Sequence, residues 1–573
     1  MKSKEIAQIF REIAQMLELK GANVFRIRAY ERAALNIENL GDQLSSLADT
    51  DALTSIPGIG KDLSQKIKEY LQTGRIDYYQ ELKSDLAPGL LEMLAIPGLG
   101  PKTVRQIYEK LGIKTVQELK QKAASGQLRQ IEGIKEKTES NIIKGIELLK
   151  KSDERMLISQ ALDIAESFIS RIKKFKEVKR LELAGSLRRR KETIKDIDIL
   201  AGSKEPEKVM EKFVKLDLVD RVTAKGRTKS SVIAKASNIA VDLRVVDEKS
   251  FGAALLYFTG SKAFNIRLRG LASKADMKIN EYGLFLKGKK GKLLASKSEE
   301  DIFAYFKMPF IAPELREDRG EIEAALSRNL PRLLTIKDIK GDLHVHSKYS
   351  DGDNTIQELC LAGIKFGYEY LGIADHSQSL KIAGGLSIEQ LKKKIKEVRK
   401  VDGAFSKIKL LCGSEVDILS DGSLDYPDDI LKDLDYVIAA IHSGFKQSKS
   451  QLTKRIVTAC KNRYVNIVAH PTGGLWGVRE PYEIEMDEVF RAAADNSVAL
   501  EINSHPERLD LNDINASLAR KHKVKLVINT DSHNTDHLSL IQFGINIARR
   551  SWLDKSEVVN TMGVEKFLKW LKK

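Results

Sequence analysis

This sequence has few cysteines and no long apolar segment. Among 573 residues there are three cysteines, Cys360, Cys412 and Cys460, and no two of them form a CxxC pair. Their wide spacing disfavours a disulfide framework or a zinc ribbon and suits a reducing cytosol. No apolar run approaches the ~18 residues that a membrane span needs, and the N-terminal stretch MKSKEIAQIF does not have the apolar core of a signal peptide. We therefore expect a cytoplasmic protein without membrane segments.

Histidine is missing from the first 340 residues, and an excess of positive charge is missing from the rest. All nine histidines follow residue 340. Residues 1–340 hold 64 lysines and arginines against 48 aspartates and glutamates, whereas residues 341–573 hold 32 of each kind. The whole net charge of +16 therefore belongs to the first part, mainly to residues 101–300. This asymmetry excludes one uniform domain and indicates a polyanion-binding module joined to a different one.

A short glycine-containing pattern repeats in the first 150 residues. Ile56-Pro57-Gly58-Ile59-Gly60 and Ile96-Pro97-Gly98-Leu99-Gly100 each precede a helical stretch, and a degenerate third copy lies at 131–135. A tight glycine turn before a helix lets backbone N–H groups approach a phosphate. The pattern resembles the helix–hairpin–helix element, which holds the DNA backbone without reading sequence. The candidate DNA-binding residues are Gly58, Gly60, Gly98 and Gly100, with an ordinary turn between helices as the alternative.

Three acidic residues lie on two predicted strands further along the chain. Asp196 and Asp198 lie two apart in the strand-like stretch 194–200, so both carboxylates face the same side. Asp242 lies in a second predicted strand, 239–246. Three neighbouring carboxylates suit two Mg²⁺ ions, which can clamp the attacking and leaving oxygens of a phosphoryl displacement. An isolated DxD motif would instead be a solvated strand face.

A Gly-Ser turn precedes this DxD motif by nine residues. Gly185-Ser186 could hold a phosphate through a backbone N–H and a hydroxyl, and Arg188 or Arg189 could neutralise it. Gly-Ser, the DxD motif and a later strand aspartate together form the nucleotidyltransferase signature. The string Tyr257-Phe258-Thr259-Gly260-Ser261-Lys262-Ala263-Phe264-Asn265 follows, and Arg269 comes after it.

With these motifs, residues 1–315 resemble the family X DNA polymerases of the DNA polymerase beta type. The resemblance implies that Asp196, Asp198 and Asp242 are the catalytic, metal-binding acids. It implies a nucleotide pocket made of Gly185, Ser186, Arg189, Tyr257, Phe258, Gly260, Asn265 and Arg269. Lys66 matches the lysine that forms a Schiff base with 5′-deoxyribose phosphate, but Asp62 stands where the animal enzyme has a lysine. Simple phosphate binding by Lys66 is therefore the alternative. Ala240 also departs from the animal pattern, which has an arginine there.

The histidine-rich remainder alternates predicted strands with gaps that are mostly long enough for a helix. The strand-like runs are 342–346, 371–375, 409–415, 436–441, 466–470, 498–503 and 525–530. This alternation predicts a parallel, barrel-like sheet. Histidines and acids follow the carboxyl ends of the strands, where the active sites of such barrels lie. Imidazole and carboxylate ligands together suit Zn²⁺, Mn²⁺ or Fe²⁺.

The strings DLHVHS, ADHS, GSEVDI, IHSG, AHP and TDSH resemble the polymerase and histidinol phosphatase (PHP) domain. That resemblance implies a distorted (β/α)₇ barrel and an active hydrolase holding up to three ions, Mn²⁺ or Zn²⁺. The nine implied metal ligands are His344, His346, Asp351, His376, Glu415, His442, His470, Asp531 and His533. His505, His522 and His537 fall outside this pattern.

A family X core followed by a PHP domain resembles the PolX enzymes of bacteria and archaea. The resemblance implies gap filling in base-excision repair together with a 3′→5′ exonuclease, and further AP endonuclease or 3′-phosphatase activity. The implied partners are gapped or primer–template DNA and dNTPs, with a monomer acting at the nucleoid. One alternative is a polymerase fused to a small-molecule phosphatase. Another is a DNA-binding scaffold without nuclease activity.

The predicted fold is multidomain, with an α-helical N-terminal region, an α/β palm, an α+β thumb and a PHP barrel. The predicted boundaries are 1–85 for a helical DNA-binding domain, 86–150 for a second helix–hairpin–helix domain, 151–250 for the palm, 251–315 for the thumb, 316–339 for a linker and 340–573 for the PHP domain.

Overall fold

The structure is a computed structural model that describes residues 2–40, 52–56, 58–96, 99–235, 237–288 and 291–572. The chain divides into two compact units, Met1–Asp153 and Glu154–Lys573. None of the described helices has the length and apolar character required to cross a membrane.

The first unit is helical. Its described α-helices are α1 (Lys2–Leu19), α2 (Val24–Leu40), α3 (Lys61–Thr73), α4 (Asp77–Ser84), α5 (Pro88–Leu94), α6 (Pro101–Leu111), α7 (Val116–Ala124) and α8 (Glu136–Glu154). Apolar residues at helical spacing, such as Ile6, Phe10 and Ile13, bury one face of α1 in a first core. Val104 and Leu119 belong to a second core, formed by the later helices.

Glycine turns precede three of these helices, in agreement with the repeated sequence pattern. Gly58 has a φ of 82°, which glycine adopts without strain, and the extended Gly60 caps α3. Gly100 caps α6 in the same extended conformation, with Pro101 as the first helical residue. Gly133, with a φ of 90°, precedes α8 in the degenerate third copy. Gly98 lies outside the described residues.

The second unit begins with the palm. Its elements are β1 (Met156–Leu157), α9 (Ile158–Ile172), β2 (Arg180–Leu183), α10 (Gly185–Arg188), β3 (Thr193–Ile194), β4 (Asp196–Gly202), α11 (Pro206–Phe213), β5 (Val219–Lys225), β6 (Lys229–Ala234) and β7 (Ala240–Val246). The main sheet has the order β2-β4-β7-β6-β5. β4 and β7 are parallel, and Asp198 pairs with Asp242 in their register. The three predicted acids therefore meet at one end of two adjacent strands.

The thumb follows. Its elements are α12 (Phe251–Thr259), α13 (Lys262–Lys274), β8 (Met277–Asn280), β9 (Gly283–Leu286), β10 (Leu293–Ala295), α14 (Glu299–Tyr305) and α15 (Glu321–Leu326). The three strands form an antiparallel sheet in the order β10-β9-β8. Phe264, Leu284 and Phe303 lie in its core. α15 lies within the segment 316–339, for which the sequence predicts a linker containing a helix, and Arg316 of that segment is fully buried.

The C-terminal part is a nearly closed parallel barrel. Its strands are β11 (Gly341–Val345), β12 (Tyr370–Ile373), β13 (Lys409–Asp417), β14 (Tyr436–Ala440), β15 (Val465–Val468), β16 (Ala499–Asn503) and β17 (Leu526–Asn529). Its helices are α16 (Ile356–Phe366), α17 (Ile388–Ala404), α18 (Asp428–Leu431), α19 (Lys449–Lys461), α20 (Met486–Asp495), α21 (Asp513–Lys521), α22 (Ile541–Arg550) and α23 (Val564–Leu571). The strands follow one another in sequence order, and a parallel bridge from Val345 to Ser532 links the first to the last. Six strands are buried along their whole length and β13 along nearly all of its own, as a parallel sheet covered by helices requires.

Candidate active sites

The palm acids form a compact carboxylate cluster. Gly185, at the start of α10, lies so close to Asp198 that a Cβ built on it would be 2.1 Å from Oδ2. Burial, together with the charges of Asp196 and Asp242, raises the pKa of Asp198 to about 7. Carboxylates crowded in this way favour a bound cation, and an all-oxygen donor set fits hard ions such as Mg²⁺.

Lys229 is a neighbour of this cluster that sequence reasoning missed. It lies on β6, next to β7, and its Nζ is 2.6 Å from Oδ2 of Asp242. The ion pair partly neutralises one of the three acids that the resemblance implies as catalytic metal ligands. No local sequence signal identifies Lys229, because its position depends on how β6 and β7 pair.

An open cavity of about 570 Å³ adjoins the carboxylates, a volume in the range of small-molecule sites. It brings together every residue that the sequence predicts for the nucleotide pocket. Its lining is Gly185, Ser186, Arg189, Asp196, Asp198, Lys229, Asp242, Arg244, Tyr257, Phe258, Thr259, Gly260, Lys262, Asn265 and Arg269.

The two candidate phosphate-binding arginines have different surroundings. Arg188 donates to both carboxylate oxygens of Glu299, at 3.0 and 2.6 Å, and to the Thr259 hydroxyl. This bidentate pair holds the Arg188 guanidinium against Glu299 of the thumb. Arg189 lines the cavity, and its Nη1 donates to the carbonyl of Thr259. Of these two arginines, Arg189 is the one that lines the cavity.

The aromatic side of the cavity is held by contacts within the thumb. The rings of Tyr257 and Phe258 lie edge to face, with centroids 5.2 Å apart. Nδ2 of Asn265 donates to the carbonyl of Tyr257 at 2.7 Å, and Nε of Arg269 donates to the carbonyl of Asn265 at 3.2 Å. The guanidinium of Arg244, another residue that sequence reasoning missed, lies 4.3 Å from the centroid of Phe258.

At the carboxyl ends of the barrel strands, eight of the nine predicted ligands form three overlapping groups whose donor atoms lie within 4.8 Å of one another. The groups are His346 with Asp351, His376 and His533; His344 with His346 and Asp531; and His376 with Glu415 and His442. The ninth residue, His470, lies beside them, with its Nε2 2.9 Å from Oε1 of Glu415. Neighbouring groups share His346 and His376.

Most of the barrel cluster is buried, whereas the side chains of Asp351 and His533 are 30% and 33% exposed. Both ring nitrogens of His346 are buried and find no hydrogen-bond partner among the described residues. Burial and the rings of His533 and His376 lower the pKa of His346 to about 4. Its Nε2 nevertheless lies 3.2 Å from Oδ1 of Asp531, another member of the same group. A neutral imidazole among such donors is well suited to bind a metal, because only the unprotonated nitrogen can coordinate.

Two further acids orient the ligands, and neither was among the predicted site residues. Oε1 of Glu501 lies 2.7 Å from Nδ1 of His344, and Oδ1 of Asp417 lies 2.8 Å from Nδ1 of His442. Each leaves the ring Nε2 facing the site, as carboxylates behind metal-bound histidines do. Asp417 could have been found from its place two residues after Glu415 on one strand. Glu501 could have been found as an acid in an otherwise apolar predicted strand.

In the helical unit, Gly60 and Gly100 have open space around them, since a Cβ on either would meet no described atom within 4 Å. Backbone can therefore approach a ligand at both helix starts. Lys66 lies on α3 and forms an ion pair with Asp62 one turn earlier. Its Nζ lies 5.0 Å from the centroid of the Tyr78 ring, and 13% of its side chain is exposed.

Family models match four segments of the chain. A helix-hairpin-helix domain matches residues 1–76 and a SAM-like helix-hairpin-helix tandem matches residues 90–147. The DNA polymerase beta thumb matches residues 254–317, and the PHP domain matches residues 342–505. These matches confirm the predicted helix–hairpin–helix, thumb and PHP folds.

One relative matches along the whole chain. The DNA polymerase/3′-5′ exonuclease PolX of Bacillus subtilis (strain 168) is 39% identical over 573 residues, covering 99% of this chain and 100% of the relative. The chain belongs to the PolX family. The prediction of a family X polymerase core joined to a PHP domain is thereby confirmed.

Other relatives match a shorter stretch of this PolX chain. A probable phosphatase of Thermoanaerobacter sp. (strain X514) is 29% identical over 243 residues, covering 40% of this chain and 94% of the relative. A probable phosphatase of Acetivibrio thermocellus is 27% identical over 241 residues, covering 40% of this chain and 95% of the relative. The matched length is close to that of the predicted PHP domain, residues 340–573.

Proposed function

We propose that this PolX chain is a DNA-directed DNA polymerase with a 3′→5′ exonuclease, and that the two reactions use separate sites. The observation that carries the proposal is the presence of two complete polar clusters on different sheets. One is the triple carboxylate beside a nucleotide-sized cavity. The other is the set of nine histidines and acids at the end of the barrel.

In the palm, Asp196, Asp198 and Asp242 would hold two Mg²⁺ ions, which supply charge neutralisation for an in-line phosphoryl displacement. The other groups of the site bind and orient the nucleotide. Ser186 and Arg189 take the triphosphate, while Tyr257 and Phe258 form the floor beside the sugar. Asn265 and Arg269 face the nascent base pair.

In the barrel, the nine ligands would hold up to three Mn²⁺ or Zn²⁺ ions, which supply an activated water and neutralise a phosphodiester. Glu501 and Asp417 fix the ring orientations of the histidines that they contact. A substrate must reach the largely buried cluster with a protruding end, from the side of Asp351 and His533, whose side chains are 30% and 33% exposed. A primer 3′-end fits that requirement, and an AP site or a 3′-phosphate is a further candidate substrate.

DNA is held chiefly through its phosphates. The turns at Gly58, Gly60 and Gly100 offer backbone N–H groups, Gly98 is a further candidate from the sequence pattern alone, and residues 101–300 add a net charge of +18. Affinity should therefore fall steeply with salt concentration. We further propose that the enzyme acts as a monomer on gapped or primer–template DNA with dNTPs, in base-excision repair at the cytoplasmic nucleoid.

The polymerase assignment is tested by filling a one-nucleotide gap with Mg²⁺ and the complementary dNTP. The native chain should extend the primer by one nucleotide. The double variant Asp196→Ala/Asp198→Ala should not, while keeping its affinity for the gapped duplex. Extension at the native rate by that variant would contradict the assignment, and failure of the native chain to extend would favour a mere DNA-binding scaffold.

A small-molecule phosphatase is the second candidate for the barrel, because the probable phosphatases named above match a stretch close in length to this module. Hydrolysis of a 3′-labelled primer and of p-nitrophenyl phosphate, each with Mn²⁺, separates the two. We expect kcat/KM for the DNA 3′-end to exceed that for the monoester by at least about a hundredfold. The reverse preference would assign the barrel to small phosphate esters.

A further inference from the structure

Arg189, the cavity arginine, shares a buried carboxylate with the barrel. Its Nε donates to Oε1 of Glu317 at 3.1 Å. Both side chains are nearly covered, with 12% and 11% exposed. A buried arginine and a buried glutamate attract strongly, so Glu317 can compete with a triphosphate for Arg189.

The second partner of this carboxylate comes from the C-terminal module. Arg550, the last residue of α22, is 2% exposed, and its Nη1 donates to Oε1 of Glu317 at 3.1 Å. The same Nη1 donates to the backbone carbonyl of Arg189 at 2.7 Å. Its Nη2 donates to Asp513 of α21 at 2.6 Å. Arg550 therefore contacts both the backbone that carries Arg189 and the acid that holds it.

Sharing changes the electrostatics of the carboxylate. Burial alone would raise the pKa of Glu317, but the charges of Arg189, Arg550 and Lys191 hold it below its ordinary value. Glu317 is therefore a buried anion whose charge is divided among several cations. If Arg550 were removed, the negative charge of Glu317 would attract Arg189 more strongly. The backbone at Arg189 would also lose its hydrogen bond from Arg550.

We propose that Arg550 is a positioning residue for the polymerase's nucleotide pocket. By sharing Glu317 and fixing the Arg189 backbone, it keeps the Arg189 guanidinium available to the incoming triphosphate. The PHP module would then contribute to nucleotide binding in the palm as well as to hydrolysis. This inference rests on the proposed assignment of Arg189 to the triphosphate.

The test uses the full chain, gapped DNA and Mg²⁺, with steady-state gap filling measured against dNTP concentration. Arg550→Met should raise the KM for dNTP about tenfold, the equivalent of about 1.4 kcal/mol, and change kcat less than threefold. Arg550→Lys should raise KM by less, since an ammonium keeps the charge but not the fork of donors. Exonuclease activity with Mn²⁺ should stay native, which reports an intact barrel.

The matched control is Arg319→Gln, which removes another ion pair to Asp513, at 3.1 Å. Within the described part of the chain, Arg319 forms no ion pair with Glu317. Its replacement therefore leaves unchanged the Glu317 carboxylate that Arg189 contacts. The KM of this variant for dNTP should remain native. If Arg550→Met has the same KM as this control, the inference is overturned. If Arg550→Met does not fold, Arg550→Lys decides: a KM raised at least threefold supports the inference, and a native KM overturns it.

Arg189→Met, assayed in parallel, separates the assignment of Arg189 to the triphosphate from the positioning role of Arg550. If it leaves the KM for dNTP unchanged, the assignment of Arg189 to the nucleotide is wrong, and the inference fails with it. If it raises KM while the Arg550 variants do not, the nucleotide site stands and only the role of Arg550 is wrong.

Discussion

Gly185 lies against the carboxylate of Asp198 with no room for a side chain between them. A Cβ on Gly185 would be 2.1 Å from Oδ2 of Asp198, and the φ of Gly185, 59°, is one that glycine tolerates best. We expect Gly185→Ala to displace Asp198 and lower kcat for gap filling by about a hundredfold or more, as a misplacement of about 1 Å can do.

The control for this variant is Gly270→Ala on α13, where a Cβ would meet no described atom within 4 Å. Alanine in place of a helical glycine should leave kcat native and stabilise the fold slightly. Native extension by Gly185→Ala would contradict the close packing of the Gly-Ser turn on the acid.

Glu501 should tune metal binding in the barrel without being a ligand. Its contact with Nδ1 of His344 fixes the orientation of that ring. We expect Glu501→Gln to weaken the apparent Mn²⁺ affinity about ten- to hundredfold. The measurement is exonuclease rate against Mn²⁺ concentration, with partial rescue expected at high Mn²⁺. Glu488→Gln, an exposed change on α20, should behave as the native chain, and equal titrations for both variants would refute the role of Glu501.

Glu192 makes stability depend on pH. Burial and the nearby Asp513 carboxylate raise its pKa to about 7, and its Oε1 accepts no hydrogen bond from the described part of the chain. The folded state therefore keeps this proton up to about pH 7, while the unfolded chain releases it near pH 4.5. Stability is lost as pH rises through this window, and the loss is complete above it.

Replacing Glu192 by glutamine should remove the loss of stability that ionisation of Glu192 causes. Glu192→Gln should raise the free energy of unfolding at pH 8 by on the order of 1–3 kcal/mol, with a clearly smaller gain at pH 5, where the folded state still holds the proton. Thermal unfolding at the two pH values measures it. Glu182→Gln, an exposed change on β2, is the control. A gain for Glu192→Gln that is the same at both pH values would show that its cause is not ionisation.

We expect Lys66 to bind phosphate rather than to act as a lyase nucleophile. Its ammonium is paired with Asp62 and largely covered, and attack on a sugar aldehyde would need a free, unprotonated amine. We expect Lys66→Ala to weaken binding to a 5′-phosphorylated gap about three- to tenfold, with Lys83→Ala as the control on α4. Borohydride should trap no adduct with an incised abasic site. A trapped adduct that disappears in Lys66→Ala would make Lys66 a lyase nucleophile instead.

Much of the fold follows from local sequence. The predicted barrel strands agree with the observed ones within one or two residues, because each is a short, largely apolar run, and all but β16 carry a predicted ligand or are followed by one. The spacing of Asp196 and Asp198 alone indicates that they share one face of a strand. Such signals lie within a few consecutive residues, where backbone geometry fixes side-chain direction.

The supporting residues were harder to find, because their roles depend on packing between distant segments. Lys229 meets Asp242 through strand pairing, and Glu317 meets Arg550 through the packing of two modules that are far apart in sequence. None of these side chains, Asp242 aside, belongs to a recognisable motif. Sequence reasoning thus identified the groups proposed to hold metal and nucleotide but missed most of the groups that orient them.

The central claim, two independent sites on one chain, is tested most directly by reciprocal inactivation. A labelled gapped duplex is incubated with Mg²⁺ and Mn²⁺, with or without dNTPs, and primer length is followed. Asp196→Ala/Asp198→Ala should only shorten the primer, and His344→Ala should only extend it. Loss of both activities in either of these variants, with its fold intact, would contradict the account.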